Sequence, residues 1–260
     1  MKTKKILSII FLSVFTFSMT SCKKHSDDNT VTPKTTTCPI AYINDDQGDS
    51  TVYVYDAQNK LTAFQAFDNT GKKSFEITYA YSSGDITSAG LNGVNPTHIV
   101  LNSDGTAKYA TSYVSSIGYV EFDTVFYTYD SKGYNIRSIT KKTNMSSPRQ
   151  HSYDTTWNTY TNGNLTYTKT NDAAGTKTAS TTAYTTLESK FLYNQNFTSN
   201  VYGKASKNLP ASNTLSISGP FSYTSTTNLT YQLNASGYIT SITSSSGNST
   251  SIYYYHYNCK

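Results

Sequence analysis

The chain has 260 residues, of which 14% are charged and 24 are tyrosines, and a formal net charge of +5. A composition so rich in Tyr, with abundant Thr, Ser and Asn, favours strands over helices, and no stretch sustains a helical period. Removing residues 1–21 takes three lysines and leaves 18 basic against 16 acidic side chains, a net charge of +2 that gives no electrostatic footprint for nucleic acid.

Lys2, Lys4 and Lys5 form a basic leader, and an apolar stretch runs from Ile6 to Met19. It falls short of the ~20 residues of a membrane helix and has the shape of a secretory signal. Met19-Thr20-Ser21-Cys22 closes it, small residues leading into a cysteine. This resembles a bacterial lipobox, which implies cleavage after residue 21 and a lipid on Cys22 as the membrane anchor. Residues 23–37 are charged, Thr-rich and Pro-containing, without an apolar period, and read as a flexible tether. Lys23 follows the cysteine where an Asp would resemble an inner-membrane retention signal. The cluster Lys23 to Asp28 resembles the surface-export signals of Bacteroidota lipoproteins, which implies an outer-membrane, surface-exposed address.

Cys38 and Cys259 remain, at the two ends of a single domain expected over residues 38–260. In an oxidising compartment they read as a disulfide closing the chain, with two buried free thiols as the alternative.

The domain itself repeats one pattern. In Tyr127-Thr128-Tyr129-Asp130-Ser131-Lys132-Gly133-Tyr134, an aromatic run meets an Asp, a Gly follows three positions later, and a new run begins. Asp at the first corner bonds its own backbone and Gly takes the positive φ at the exit, so this is a hairpin. The same chemistry recurs at Asp56–Asn59, Asp68–Gly71, Asn102–Gly105, Asp172–Gly175 and Asn234–Gly237. Strands are expected over 39–43, 51–56, 60–67, 74–81, 97–102, 107–114, 119–129, 134–142, 156–161, 165–170, 227–233, 238–243 and 250–257. Segments 143–155 and 203–220, which carry Pro148, Pro210 and Pro220, are expected as loops. The fold expected is all-β, a long antiparallel meander of repeated hairpins rolled into an open barrel or a sandwich, because so long a sheet curls.

The Tyr-x-Tyr-Asp-x-x-Gly-Tyr motif resembles the YD hairpins of Rhs-type proteins. The chain from residue 38 onward resembles β-rich Bacteroidota surface lipoproteins of unknown function, on that hairpin and on Lys204-Ala205-Ser206-Lys207-Asn208-Leu209-Pro210. The resemblance brings no activity with it.

Few residues carry recognisable chemistry. Glu121 and Asp123 stand two apart in an expected strand, at the ~7 Å same-face spacing of an inverting glycosidase's carboxylates, although two solvated acids are the favoured reading. The four histidines show no metal-ligand spacing. Asn44-Asp45-Asp46-Gln47-Gly48-Asp49 gathers oxygen ligands without the EF-hand spacing and reads as an acidic hairpin tip. No cofactor is called for.

The tyrosines are the suggestive feature, since a flat ring with a polar tip suits sugars and protein partners alike. Tyr253, Tyr255 and Tyr257, echoed by Tyr127 and Tyr129, are expected as an aromatic ladder on an exposed strand face. The leading expectation is a non-enzymatic surface lipoprotein, binding a glycan or a protein or serving the envelope as a structural module. Its partners would be the membrane, through the lipid, and that ligand. A glycan-active hydrolase using Glu121 and Asp123 is the alternative.

Overall fold

The computed structural model describes residues 38–259 apart from 91–95, 117–118, 146–149, 189–200 and 220–221. Sixteen strands follow one another: β1 (Ile40–Asp45), β2 (Ser50–Tyr55), β3 (Leu61–Phe67), β4 (Lys73–Ser82), β5 (Asp85–Gly90), β6 (Thr97–Leu101), β7 (Ala107–Ser116) and β8 (Tyr119–Tyr129) in the first half. The second half holds β9 (Asn135–Asn144), β10 (Gln150–Thr161), β11 (Asn164–Asn171), β12 (Lys177–Glu188), β13 (Asn208–Ser218), β14 (Tyr223–Leu233), β15 (Ile239–Ser246) and β16 (Ser249–Tyr257). Each strand pairs antiparallel with its neighbours in sequence, and β16 pairs with β1, so the meander closes into a barrel.

The closing seam matches Ile43 with Tyr255 and Ile40 with Tyr257. Just beyond it, Cys38 and Cys259 form a disulfide with their Cα atoms 4.1 Å apart. A sheet with no free edge leaves no row of backbone donors and acceptors open to other chains.

The hairpin turns explain the register. In all six [Asp/Asn]-x-x-[Gly/Asn] turns the fourth residue donates its N–H to the carbonyl of the first, at 2.9–3.2 Å. That fourth residue has positive φ in each, from 60° at Asn59 to 87° at Gly175. At Asp56, Asp68, Asp130 and Asn234 the first residue's Oδ1 also accepts two later backbone N–H groups. Asp45–Gly48 is a seventh copy, within the stretch read from sequence as an acidic tip.

Two expected loops are corrected. Gln150 already opens β10, and most of 203–220 belongs to β13. Pro210 is accommodated where the β12–β13 register shifts between Ala183 and Tyr184, since a bulge tolerates the missing N–H. β5 and β12 had no sequence signal because their Ser, Thr and Ala residues show no apolar alternation.

Directly paired residues share a face, so register carries the inward direction from strand to strand around the wall. The inward face is apolar toward the end that holds both termini. There Ile40, Ile43, Tyr53, Leu61, Leu209, Ile239, Ile242 and Tyr255 form one buried cluster. Ile86, Ile99, Ala107, Ala110 and Val201 form a second.

Val201 belongs to the connection between β12 and β13, yet packs against β5, β6 and β7, so this strap crosses the barrel. Its backbone is fastened on the way: Lys204 N–H donates to the Gly133 carbonyl at 2.8 Å and Lys207 N–H to the Gly163 carbonyl at 2.9 Å. The buried Ser206 Oγ accepts from Leu165 N–H and meets the Tyr184 hydroxyl at 2.8 Å. A barrel of sixteen strands is wide enough to leave a channel. Here one end is stoppered by the strap and a ring of tyrosines.

Candidate functional site

The five tyrosines expected as an exposed ladder point the other way. Tyr255 is buried and Tyr253 and Tyr257 pack on the same cluster, while Tyr127 packs on the second cluster and its ring lies 5.2 Å from that of Tyr202 in the strap. Tyr129 donates its hydroxyl to the Ala107 and Val201 carbonyls at 3.0 and 3.3 Å. Tyr255 is core and the other four are half-buried against the clusters or the strap, so they do not form an exposed outer ladder. The alternation in the sequence was real, but it could not tell which of two rich faces turned inward. Cys22 lies outside the described residues.

Away from those clusters, on β10–β13, the inward face carries a polar network. Thr156, Asn158, Thr168, Thr170, Ser180, Thr182 and Asn213 line it, tied by contacts such as Thr156 Oγ1 to Thr170 Oγ1 at 2.8 Å and Asn213 Nδ2 to Ser180 Oγ at 2.6 Å. One charged group stands among them. Glu121 and Asp123 both face inward on β8, Asp123 opposite Lys142 of β9. Lys142 Nζ pairs with Asp154 Oδ2 of β10 at 2.8 Å, and Asp154 Oδ1 accepts the Ala173 N–H at 3.0 Å.

Desolvation, then the charge and hydrogen bond of Glu121, push the Asp123 carboxyl up to about 6. Its Oδ1 is buried without a hydrogen-bond partner. The Asp154 bond raises Lys142 above the usual lysine range. Glycosidase pairs stand ~5 Å or more apart, with room for substrate or water between them. The sequence placed these acids on one face correctly, and that face turns inward.

No described group of three His, Cys, Asp or Glu residues has metal-binding geometry. In the Asn44–Asp49 stretch Asp45 Oδ1 accepts the N–H groups of Gln47 and Asp49, both at 2.9 Å, and Asn44 Oδ1 lies 2.9 Å from His256 Nε2. Those oxygens hold a turn and a seam.

Exposed rings on the outer wall occur at Tyr42 of β1 and Tyr254 of β16 and, in larger number, on β7–β11. Tyr113, Phe122 and Phe126 stand on β7 and β8, with Tyr113 opposite Phe122 and the half-buried Tyr109 opposite Phe126. Tyr153 and Trp157 follow on β10 and Tyr167 on β11, at 55%, 39% and 38% exposure. Beside them Thr87, Pro96, His98, Thr111, Tyr113 and Phe122 border a shallow groove of about 550 Å³.

Other parts of the outer wall carry hydroxylic and charged pairs: Gln65 hydrogen-bonds Glu76 across β3 and β4, and Thr214 meets Thr226 at 2.9 Å across β13 and β14. Reading these outer aromatics from sequence required the strand parity that the strap and core fix.

The architecture defines a class: closed, sixteen-stranded antiparallel barrels with one stoppered end. Among solved structures, the chain is similar to a porin-like protein from Bacteroides uniformis, with a TM-score of 0.58 at 16% identity over 85% of this chain and 99% of that one. It is similar also to a porin-like protein from Bacteroides vulgatus, at TM-score 0.58 and 13% identity over 84% and 98% of the two chains. At these identities the likeness is one of fold. No family model and no curated protein matches the sequence.

Proposed function

We propose that this protein is a non-enzymatic, lipid-tethered barrel of the outer-membrane surface, and that it binds a glycan through the exposed aromatic wall of β7–β11. One observation carries the reading. Six exposed rings, Tyr113, Phe122, Phe126, Tyr153, Trp157 and Tyr167, gather on this wall, against Tyr42 and Tyr254 at the β1–β16 seam, while Glu121, Asp123 and Asp154 face in beside Lys142. Flat exposed rings beside threonine hydroxyls offer stacking and hydrogen bonding to sugars.

The outer wall also argues against a barrel that crosses the bilayer. A transmembrane barrel needs an apolar outer band ~25 Å tall, with costs of ~2–4 kcal/mol for a cation at the midplane. Lys141 and Lys169 face outward within β9 and β11, and the Gln65–Glu76 pair faces outward across β3 and β4. The bilayer is reached instead through the lipid expected on Cys22.

Two measurements test this. Cys22→Ala should move the protein from the detergent phase to the aqueous phase, whereas continued membrane integration would refute the tether. A glycan array with the native chain should give hits that Tyr153→Ala and Phe122→Ala weaken and Glu121→Gln leaves intact. Loss of binding through Glu121→Gln alone would favour the hydrolase reading.

A further inference from the structure

The charges of β8–β11 are sorted by face. All three of their described acids, Glu121, Asp123 and Asp154, point into the barrel, where Lys142 answers them. The other cations, Arg137, Lys141 and Lys169, point outward, and Lys177 at the start of β12 extends the set. The turn aspartates at the two ends of this wall are engaged with backbone: Asp130 Oδ1 accepts from Lys132 and Tyr134, and Asp172 Oδ1 from Thr176. Among the described strand residues of β8–β11 no acid faces outward.

The rings and cations alternate in register. Trp157 stands opposite Arg137 on one side and opposite Lys169 on the other, and Tyr153 stands opposite Lys141. Cross-strand neighbours sit ~5 Å apart, and Tyr153 lies four residues from Trp157, ~13 Å along the strand.

We propose that this outer face binds an anionic polysaccharide, its sugar rings stacking on Trp157 and Tyr153 while its carboxylate or sulfate groups pair with Arg137, Lys141 and Lys169. The inference rests on the glycan-binding reading above and names the class of glycan. A neutral glycan would gain nothing from a wall cleared of acids and set with cations, whereas a polyanion needs both.

β9 is the eighth strand from β1 in either direction round the closed order, so the cationic wall is on the side opposite the β1 strand to which the expected tether would connect.

Trp157 is the single tryptophan of the chain, so its emission reports directly on the face. The full chain in detergent is titrated with polygalacturonate, dextran sulfate, neutral dextran, and phosphatidylglycerol vesicles, at 50 and 200 mM salt. The expected result is a shift in Trp157 emission with a polyanionic glycan at least tenfold below the concentration at which dextran acts, weakening as salt rises. Arg137→Gln with Lys169→Gln should lose tenfold or more in affinity. Trp157→Ala, followed by calorimetry, should weaken polygalacturonate binding with its salt dependence retained. An unchanged melting temperature certifies that each variant is folded.

Equal affinity for dextran overturns the anionic class and leaves glycan binding standing. No response to any polysaccharide overturns both. A response to vesicles alone makes this a membrane-docking face and overturns the proposal, and polyanion binding unaffected by Trp157→Ala reduces it to bulk charge and overturns the stacking.

Discussion

The Tyr129 hydroxyl donates to the Ala107 carbonyl at 3.0 Å, from the last residue of β8 to the first of β7. The contact recurs around the stoppered end: Tyr81 to Leu61 at 2.7 Å, Tyr184 to Leu165 at 2.8 Å and Tyr231 to Pro210 at 2.7 Å. Each tyrosine stands on an even-numbered strand and reaches a carbonyl near the start of the strand before it. A ring thereby packs toward the interior while its hydroxyl gives a backbone carbonyl a donor. Tyr129→Phe keeps the ring and strands the carbonyl of Ala107, whose side chain is fully buried. A loss of about 1–3 kcal/mol in urea unfolding is expected.

Gly203 of the strap has φ +99°, and a Cβ there would meet Tyr129 Cε1 at 2.9 Å and the Gly133 carbonyl at 3.0 Å. Gly71 also has positive φ, +80°, but nothing lies within 4 Å of a Cβ there. Gly203→Ala should therefore destabilise by about 2 kcal/mol or more and loosen the stopper, whereas Gly71→Ala bears only backbone strain of about 1 kcal/mol. Parallel thermal melts of the two variants check the difference; equal losses would mean that the strap is not seated against the β8–β9 hairpin.

The Cys38–Cys259 disulfide joins residues 221 apart in sequence. Chain entropy sets an upper limit of about 5 kcal/mol on what it contributes, and measured gains are usually smaller. The β1–β16 ladder holds the same seam by backbone bonds. Cys259→Ser with Cys38→Ser should lower the melting temperature while far-ultraviolet dichroism keeps its β signature. Loss of the β signature at 25 °C would show that the disulfide, not the ladder, closes the barrel.

The raised pKa of Asp123, about 6, has a definite sign. The folded state holds this proton more tightly than the unfolded chain, so the stability that it contributes is fully present below the ordinary carboxylate range near 4. It is lost as pH rises through about 6. Asp123→Asn should accordingly gain stability over the native chain from pH 4 to pH 7 and show a constant difference above that. Melting curves of both proteins at pH 4, 5, 6 and 7.5 check it; a difference independent of pH would place the titration elsewhere.

The residues themselves determined the hairpins. Asp130 and Gly133 make the same turn in any context, because an Asx oxygen caps nearby N–H groups and glycine accepts positive φ without strain. Six such turns dictate a meander, and two cysteines at its ends foreshadow the closing seam. Local chemistry could not say which way each strand faced.

Tyr255 and Tyr254, or Tyr127 and Phe126, are equally good strand residues. The choice between core and surface came from the strap, whose Val201 and Tyr202 fill the end and draw Tyr127 inward. Parity then propagated by register around the wall, turning Glu121, Asp123 and Asp154 into the barrel and leaving Trp157, Arg137 and Lys169 outside. Strand pairing is local, so sequence reveals it. Facing depends on which side is buried, and only closure of the barrel around its own strap decided that.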